Sequence, residues 1–404
     1  MTGLLGISVL LGAAYALCNN RKAIRWRTVG AALAIQVSIG VIVFAVPAGR
    51  EALQWISDGV TNAIRAGKEG VDFLFGPLTV DGDASLGFVF AFRVLPMIIF
   101  FSSLIAVLYH LKIMTIVIKV LGGGLKKLLG TSRTESLSAA ANIFVGQTEA
   151  PLLVKPYISR MTTSELFAVM VGGLASVAGS ILAGYVALGV DINYLIAASF
   201  MAAPGGLLYA KLMRPETEIP EEKELGFAEG DDKPANVVDA AAVGASTGLM
   251  LALNVGAMLL AFIGLIALLN VMLGGVGGWF GNGDLSLQQI LGWCFAPLAW
   301  LIGMPWQDAV KGGSLIGQKL ILNEFVAYVQ YIKWEDALTP KARAIGAVAL
   351  CGFANLSSIG ILLGGLGVMA PSRRSEIARL GFLAVVAGTF SNLTSAAIVG
   401  LFVG

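Results

Sequence analysis

The sequence predicts an all-α polytopic membrane protein of about eight transmembrane helices and two re-entrant helical hairpins arranged as an inverted repeat. Three observations lead there. The first is composition: the 404 residues are 57% hydrophobic and only 13% charged, with a mean hydropathy of +0.82, whereas a soluble domain carries about 25% charged residues. The second is a series of apolar runs of about 18 residues or more, each long enough to cross a bilayer. The third is a pair of hydrophobic stretches broken in the middle by Gly, Pro and polar side chains, which do not belong against lipid. A formal charge of +2 is too small to indicate a nucleic-acid partner. Cys18, Cys294 and Cys351 lie far apart in apolar stretches, so neither a disulfide framework nor a zinc site is indicated.

The elements follow in order within a single membrane domain, 1–404. The first span is read at 1–18; its sequence, MTGLLGISVLLGAAYALC, lacks the basic n-region of a signal peptide. The second lies at 28–46. Residues 49–75 are amphipathic and are expected along the membrane surface. The third span, 87–109, is followed by 112–130, where Lys112, Lys119, Lys126 and Lys127 surround GGG and mark a second interfacial helix. A first hairpin at 134–159 precedes spans at 164–188, 192–212 and 240–270. Between the last two, 213–238 holds eight acids from Glu216 to Asp232 and reads as a solvated loop. A second hairpin at 305–333 leads to the final spans, 341–368 and 380–402.

Orientation comes from Lys and Arg, which are enriched in cytoplasmic loops. With both termini outside, 18 of the 27 basic residues fall on the inner side, and the acidic loop is cytoplasmic. Three spans separate the hairpins. An odd number makes the first enter from inside and the second from outside. The repeats are then 134–190 and 305–370, each a hairpin plus a Gly-, Ala- and Ser-rich span, aligned loosely through Ala175-Ser176-Val177 and Ala354-Asn355-Leu356. Glu149 precedes Ser176 by 27 residues, and Glu324 precedes Asn355 by 31.

The first hairpin reads NIFVGQTEAPLLVKPYIS from Asn142 to Ser159 and sets Gln147, Thr148 and Glu149 side by side just ahead of Pro151. A charge at the bilayer centre costs about 2.5–3.5 kcal/mol on insertion scales. Pro151 also removes a backbone donor and disfavours helix at Ala150. Broken backbone of this kind belongs where it lines a cavity.

NIFVGQTEAPLLVKPYI, LASVAGSILAGY downstream, and later LNEFVAY and CGFANLSSIGI together resemble the concentrative nucleoside transporters, in the shorter bacterial form and over essentially the whole chain. The resemblance implies a homotrimer in the bacterial cytoplasmic membrane that imports nucleosides on a cation gradient, carrying its hairpins past a fixed scaffold. It assigns the nucleobase to Gln147, Thr148 and Glu149, partly through water, with apolar contacts from Phe353, Ile181 and Leu251. The ribose falls to Glu324, Asn355 and Ser358. That division suits the chemistry, since a base edge needs donors and acceptors and a carboxylate accepts strongly from hydroxyls. Asn142, the carbonyl of Val145, Ser176 and the carbonyl of Val177 match the family's sodium position, and hard cations take oxygen ligands. Relatives that use protons tend to depart from GQTEAP, which this chain keeps. The resemblance therefore favours sodium, with proton coupling as the alternative. No other cofactor is implied.

Blander and rival readings stand beside these. Ser176 in a membrane also serves helix–helix hydrogen bonding. His110, the single histidine, follows Tyr109 at a span end and reads as interfacial. The sequons at Asn355 and Asn392 lie inside spans, and the Gly clusters at 122–124 and 364–367 follow no strand, so they cradle no phosphate. Two buried carboxylates could in principle make a membrane glycosidase, but no further catalytic constellation accompanies them. A passive channel is the remaining rival.

Overall fold

The computed structural model describes residues 2–79, 88–221 and 234–403. Most of the acidic stretch of the expected cytoplasmic loop, 222–233, lies outside them. All regular structure among the described residues is helical. The first helices are α1 (Thr2–Ala16) and α2 (Trp26–Ala45), followed by α3 (Pro47–Phe75). Helix α3 begins on Pro47, whose missing N–H costs nothing at a helix start. It buries one stripe, Gly49, Leu53, Ser57 and Val71, and leaves Trp55 and Phe73 exposed.

A short turn, α4 (Phe90–Arg93), leads into α5 (Leu95–His110). The basic helix expected at 112–130 is α6 (Ile113–Leu129), closed by Gly130 at φ +67°, a left-handed position that favours glycine. The first hairpin is α7 (Arg133–Ala141), an irregular turn, a 3-10 segment at Ala150–Val154, and α8 (Lys155–Ile158). Next come α9 (Thr163–Ala175), α10 (Gly179–Leu188), α11 (Ile192–Met213) and α12 (Val237–Gly278). At 42 residues α12 is about 63 Å long, roughly twice the hydrocarbon thickness. It packs tightly on α5, where Gly244 and Gly248 face Ser102, Ser103 and Ile99.

The chain closes with α13 (Leu287–Leu301), α14 (Trp306–Ile321), α15 (Glu324–Trp334), α16 (Pro340–Leu350), α17 (Ser358–Met369) and α18 (Arg374–Phe402). The second hairpin is α14–α15, matching 305–333. Helix α13 was not expected. It has 15 residues, as α1 does at the expected first span, and it folds back on α14 through a 116° bend.

Six helical stretches among the described residues are long and apolar enough to cross a bilayer: 26–45, 90–110, 163–188, 192–213, 237–278 and 371–402. Two of the expected spans are broken within: 164–188 at Ser176–Ala178 and 341–368 at 351–357. Broken backbone survives at this depth because its groups find partners inside the protein. Phe353 N–H donates to Ser176 O at 3.1 Å, Gly179 N–H to Phe144 O at 2.9 Å, and Leu356 N–H to Leu320 O at 3.0 Å. Asn392, on α18, donates through Nδ2 to both Ala175 O at 2.6 Å and Cys351 O at 3.0 Å. One side chain thus fastens the carbonyl ends of both half-helices.

The start of the first hairpin is held equally firmly. Capping boxes at Ser132/Glu135 and Thr162/Glu165 open α7 and α9. Buried Lys211 pairs with Glu135 and donates to Ser164 Oγ at 2.8 Å, tying both starts to the end of α11.

Candidate functional site

The two hairpin tips and the two helix breaks converge on one cavity of about 410 Å³. All nine residues expected to bind substrate line it: Gln147, Thr148, Glu149, Ile181, Leu251, Glu324, Phe353, Asn355 and Ser358. They come from the first hairpin's turn, α10, α12, the start of α15 and the second break. The volume falls within the roughly 300–1,000 Å³ of small-molecule sites.

At one end, Glu324 is 5% exposed and accepts from Tyr185 Oη at 3.0 Å and Asn355 Nδ2 at 3.1 Å. Asn355 Oδ1 in turn accepts from Ser358 N–H at 2.9 Å and Ser357 Oγ at 2.7 Å. The second break therefore orients an amide toward the carboxylate. At the other end, Gly173 lets the first hairpin's tip approach, since a Cβ there would sit 2.7 Å from Gln147 Cβ. Gln147 Nε2 reaches Ser358 Oγ at 3.5 Å, while its buried Oε1 has no protein partner. Glu149 accepts from Gly146 N–H at 3.3 Å. It also borders a second cavity of about 330 Å³, lined by Ser102, Tyr109, Ser180 and Thr247 among others.

The four residues expected at sodium lie behind the same turn. Asn142 is 1% exposed; its Nδ2 donates to Ser138 O at 2.9 Å, and its Oδ1 is buried without a partner. Ser176 Oγ donates to Gly172 O at 2.9 Å, and the ideal Cβ of that glycine is 3.2 Å from Asn142 Nδ2. Val145 and Val177 are buried on the two facing segments, which meet through Gly146 and Ala178. An orphaned amide oxygen beside a broken helix is the donor type a hard monovalent cation takes. Among the described residues no group of three or more His, Cys, Asp or Glu could hold a metal ion.

Several cavity residues were not anticipated: Tyr185 behind Glu324, and Asn254, Asn323, Phe325 and Ser357 in the lining. Helical spacing could have found two of them. Tyr185 is four residues beyond Ile181 and Asn254 three beyond Leu251, each on the same face. Tyr185 is fully buried against Phe325 and Tyr328, with ring centroids at 4.8 and 4.4 Å. Tyr185→Phe keeps that packing but removes a hydrogen bond to a carboxylate. It is expected to cost about 1.5–3 kcal/mol of stability, read as a lower melting temperature of the purified protein. An unchanged melting temperature would mean Glu324 does not depend on this donor.

Comparison with known proteins decides the family. The model described as Na+ dependent nucleoside transporter, N-terminus, matches residues 5–78, and its C-terminus counterpart matches 194–400. A gate model described as nucleoside recognition matches 91–191 between them. The chain belongs to the Na+-dependent nucleoside transporter family. Within that family, the nucleoside permease NupC of Helicobacter pylori is 51% identical over 99% of this chain and 97% of its own length. The mouse sodium/nucleoside cotransporter 1 is 39% identical over 98% of this chain, which spans 63% of that longer protein. Among solved structures, CNTnw in an inward-facing substrate-bound state is 60% identical, with a TM-score of 0.95 over 99% of this chain and 97% of that one. A CNTnw variant in an outward-facing state is 59% identical, with a TM-score of 0.95 over the same shares. These relatives are transporters and permeases, so the membrane-glycosidase reading falls.

Proposed function

We propose that this nucleoside transporter is a sodium-driven symporter that imports nucleosides across the bacterial cytoplasmic membrane by alternating access, as a homotrimer with a mobile substrate domain. The observation that carries the reading is the convergence of Glu324, Asn355 and Ser358 with Gln147, Thr148 and Glu149 around one cavity. The first three present oriented polar groups to ribose hydroxyls; the second three present donors and acceptors to a base edge. Phe353, Ile181 and Leu251 supply the apolar walls. Sodium is held by Asn142, Ser176 and the carbonyls of Val145 and Val177, a set supported by the orphaned Asn142 Oδ1. Inward- and outward-facing neighbours support alternating access.

Uptake of labelled nucleosides into proteoliposomes tests this. Accumulation above the outside concentration is expected with an inward sodium gradient and not with a proton gradient alone. Uptake driven equally by protons would give the proton-coupled alternative, and mere equilibration would indicate a channel. Recovering the nucleoside chemically unchanged completes the assignment.

The repeats, 134–190 and 305–370, are proposed to enter the membrane from opposite sides, with the acidic loop 213–238 cytoplasmic and both termini periplasmic. The 18-to-9 split of basic residues supports it. In a background lacking Cys18 and Cys294, Glu221→Cys should be protected from an impermeant thiol reagent added to intact cells. Asn282→Cys, beyond the other end of α12, should label. Equal labelling at both positions overturns the orientation.

A further inference from the structure

The strongest unassigned feature is a buried ammonium. Lys319 is 2% exposed, on α14 two residues before its end, and none of the ion pairs found among the described residues includes it. Its Nζ donates to two neutral oxygens, Ala349 O at 2.8 Å and Asn392 Oδ1 at 2.7 Å. Glu324 lies five residues on, but its oxygens accept from Tyr185 and Asn355. A buried cation without a direct carboxylate partner is costly. Here the charge faces the C-terminal carbonyls of α16, the negative end of that helix.

The internal repeat shows what this ammonium corresponds to. The hydrogen bonds Gly179 N–H to Phe144 O and Leu356 N–H to Leu320 O join hairpin to break in each unit. Superposing them sets Phe144 on Leu320 and Gly179 on Leu356. Ser138 and Asn142 then match Ser314 and Gln318. Each amide reaches back four residues, Asn142 Nδ2 to Ser138 O at 2.9 Å and Gln318 Nε2 to Ser314 Oγ at 3.1 Å. Ser176 falls on Phe353, two residues before the Asn355 of the loose sequence alignment, and the two are bonded across the units. Gly172, whose carbonyl accepts from Ser176, falls on Ala349, whose carbonyl accepts from Lys319. The place of Lys319 itself is taken in the first unit by apolar Ile143.

We infer that Lys319 is a tethered cation: its ammonium takes, in the second unit, the donor place that the hydroxyl of Ser176, one of the proposed ion ligands, takes in the first. The inference rests on the proposed ion site at Asn142 and Ser176. Carbonyl and amide oxygens at a broken helix suit either kind of positive charge. The second half therefore carries its cation permanently, while the first half exchanges one with solution. Lys319 acts as a positioning residue, holding α14 against the end of α16 through Ala349 O and Asn392.

The test uses purified full-length protein and uridine uptake in proteoliposomes. Lys319→Met keeps length but not charge and should lose at least tenfold in sodium-driven uptake. Lys319→Ala leaves room for a small amine. Ethylammonium or propylammonium should raise its melting temperature and restore uptake severalfold; choline, without an N–H to donate, should do neither. Wild-type uptake by Lys319→Met overturns the inference, as does folded Lys319→Ala that responds to neither amine. If neither neutral variant folds, Lys319→Arg decides. Sodium-driven uptake within about tenfold of wild type supports the need for charge, and complete loss overturns it. The melting shift in Lys319→Ala does not depend on transport. If the wild type shows no sodium-driven uptake while that shift remains, the functional reading has failed and the tethered cation has not.

Discussion

Glu324→Gln is expected to weaken nucleoside binding by about ten- to a hundredfold. The substitution keeps shape but replaces a charged acceptor, and a hydrogen bond to a charged group contributes about 1.5–3 kcal/mol. Binding of a nucleoside panel to purified protein measures it. The decisive comparison uses analogues missing one ribose hydroxyl. An analogue lacking the contacted hydroxyl should bind wild type poorly and lose little further in the variant, because two changes at one contact are not additive. Glu149→Gln should behave differently, with a penalty that depends on the base and persists in deoxy-sugar analogues. Additive losses for every hydroxyl would mean that Glu324 does not read the sugar.

The second large effect concerns the ion. Asn142→Ala or Ser176→Ala removes one oxygen from a small set and should raise the half-saturating sodium concentration by about tenfold or more. Even partners outside the ligand shell are worth about ten- to a hundredfold in metal affinity. The measurement is uridine uptake against sodium concentration, at matched protein levels. An unchanged sodium curve in both variants would remove the ion from this site. The buried, partnerless Asn142 Oδ1 is the reason to expect otherwise.

Much of this was legible in the sequence, for physical reasons. A span needs about 20 apolar residues, so α2, α11, α12 and α18 declared themselves. Hairpins must place polar groups off lipid, which made Gln147, Thr148, Glu149 and Glu324 conspicuous. The cavity set came through family resemblance rather than periodicity, and the nine residues line one space. The helix breaks were not legible. Residues around Ser176 and Phe353 are small and apolar enough for continuous helix, and their interruption is specified by partners far away in sequence, such as Phe353 N–H on Ser176 O. Tyr185 was hidden likewise, because an aromatic in an apolar stretch reads as packing until its hydroxyl is seen on Glu324.

That bond between Phe353 and Ser176 has a thermodynamic consequence. Phe353 lines the proposed nucleoside cavity, and Ser176 contributes to the proposed ion site; one N–H···O contact of 3.1 Å spans them. The two breaks thus share a backbone contact through which the two proposed sites can be coupled. Coupling between two binding equilibria is reciprocal. The factor by which sodium tightens nucleoside must therefore equal the factor by which nucleoside tightens sodium. A closed cycle of four dissociation constants, measured in detergent without any membrane potential, makes that equality a property of the resting protein.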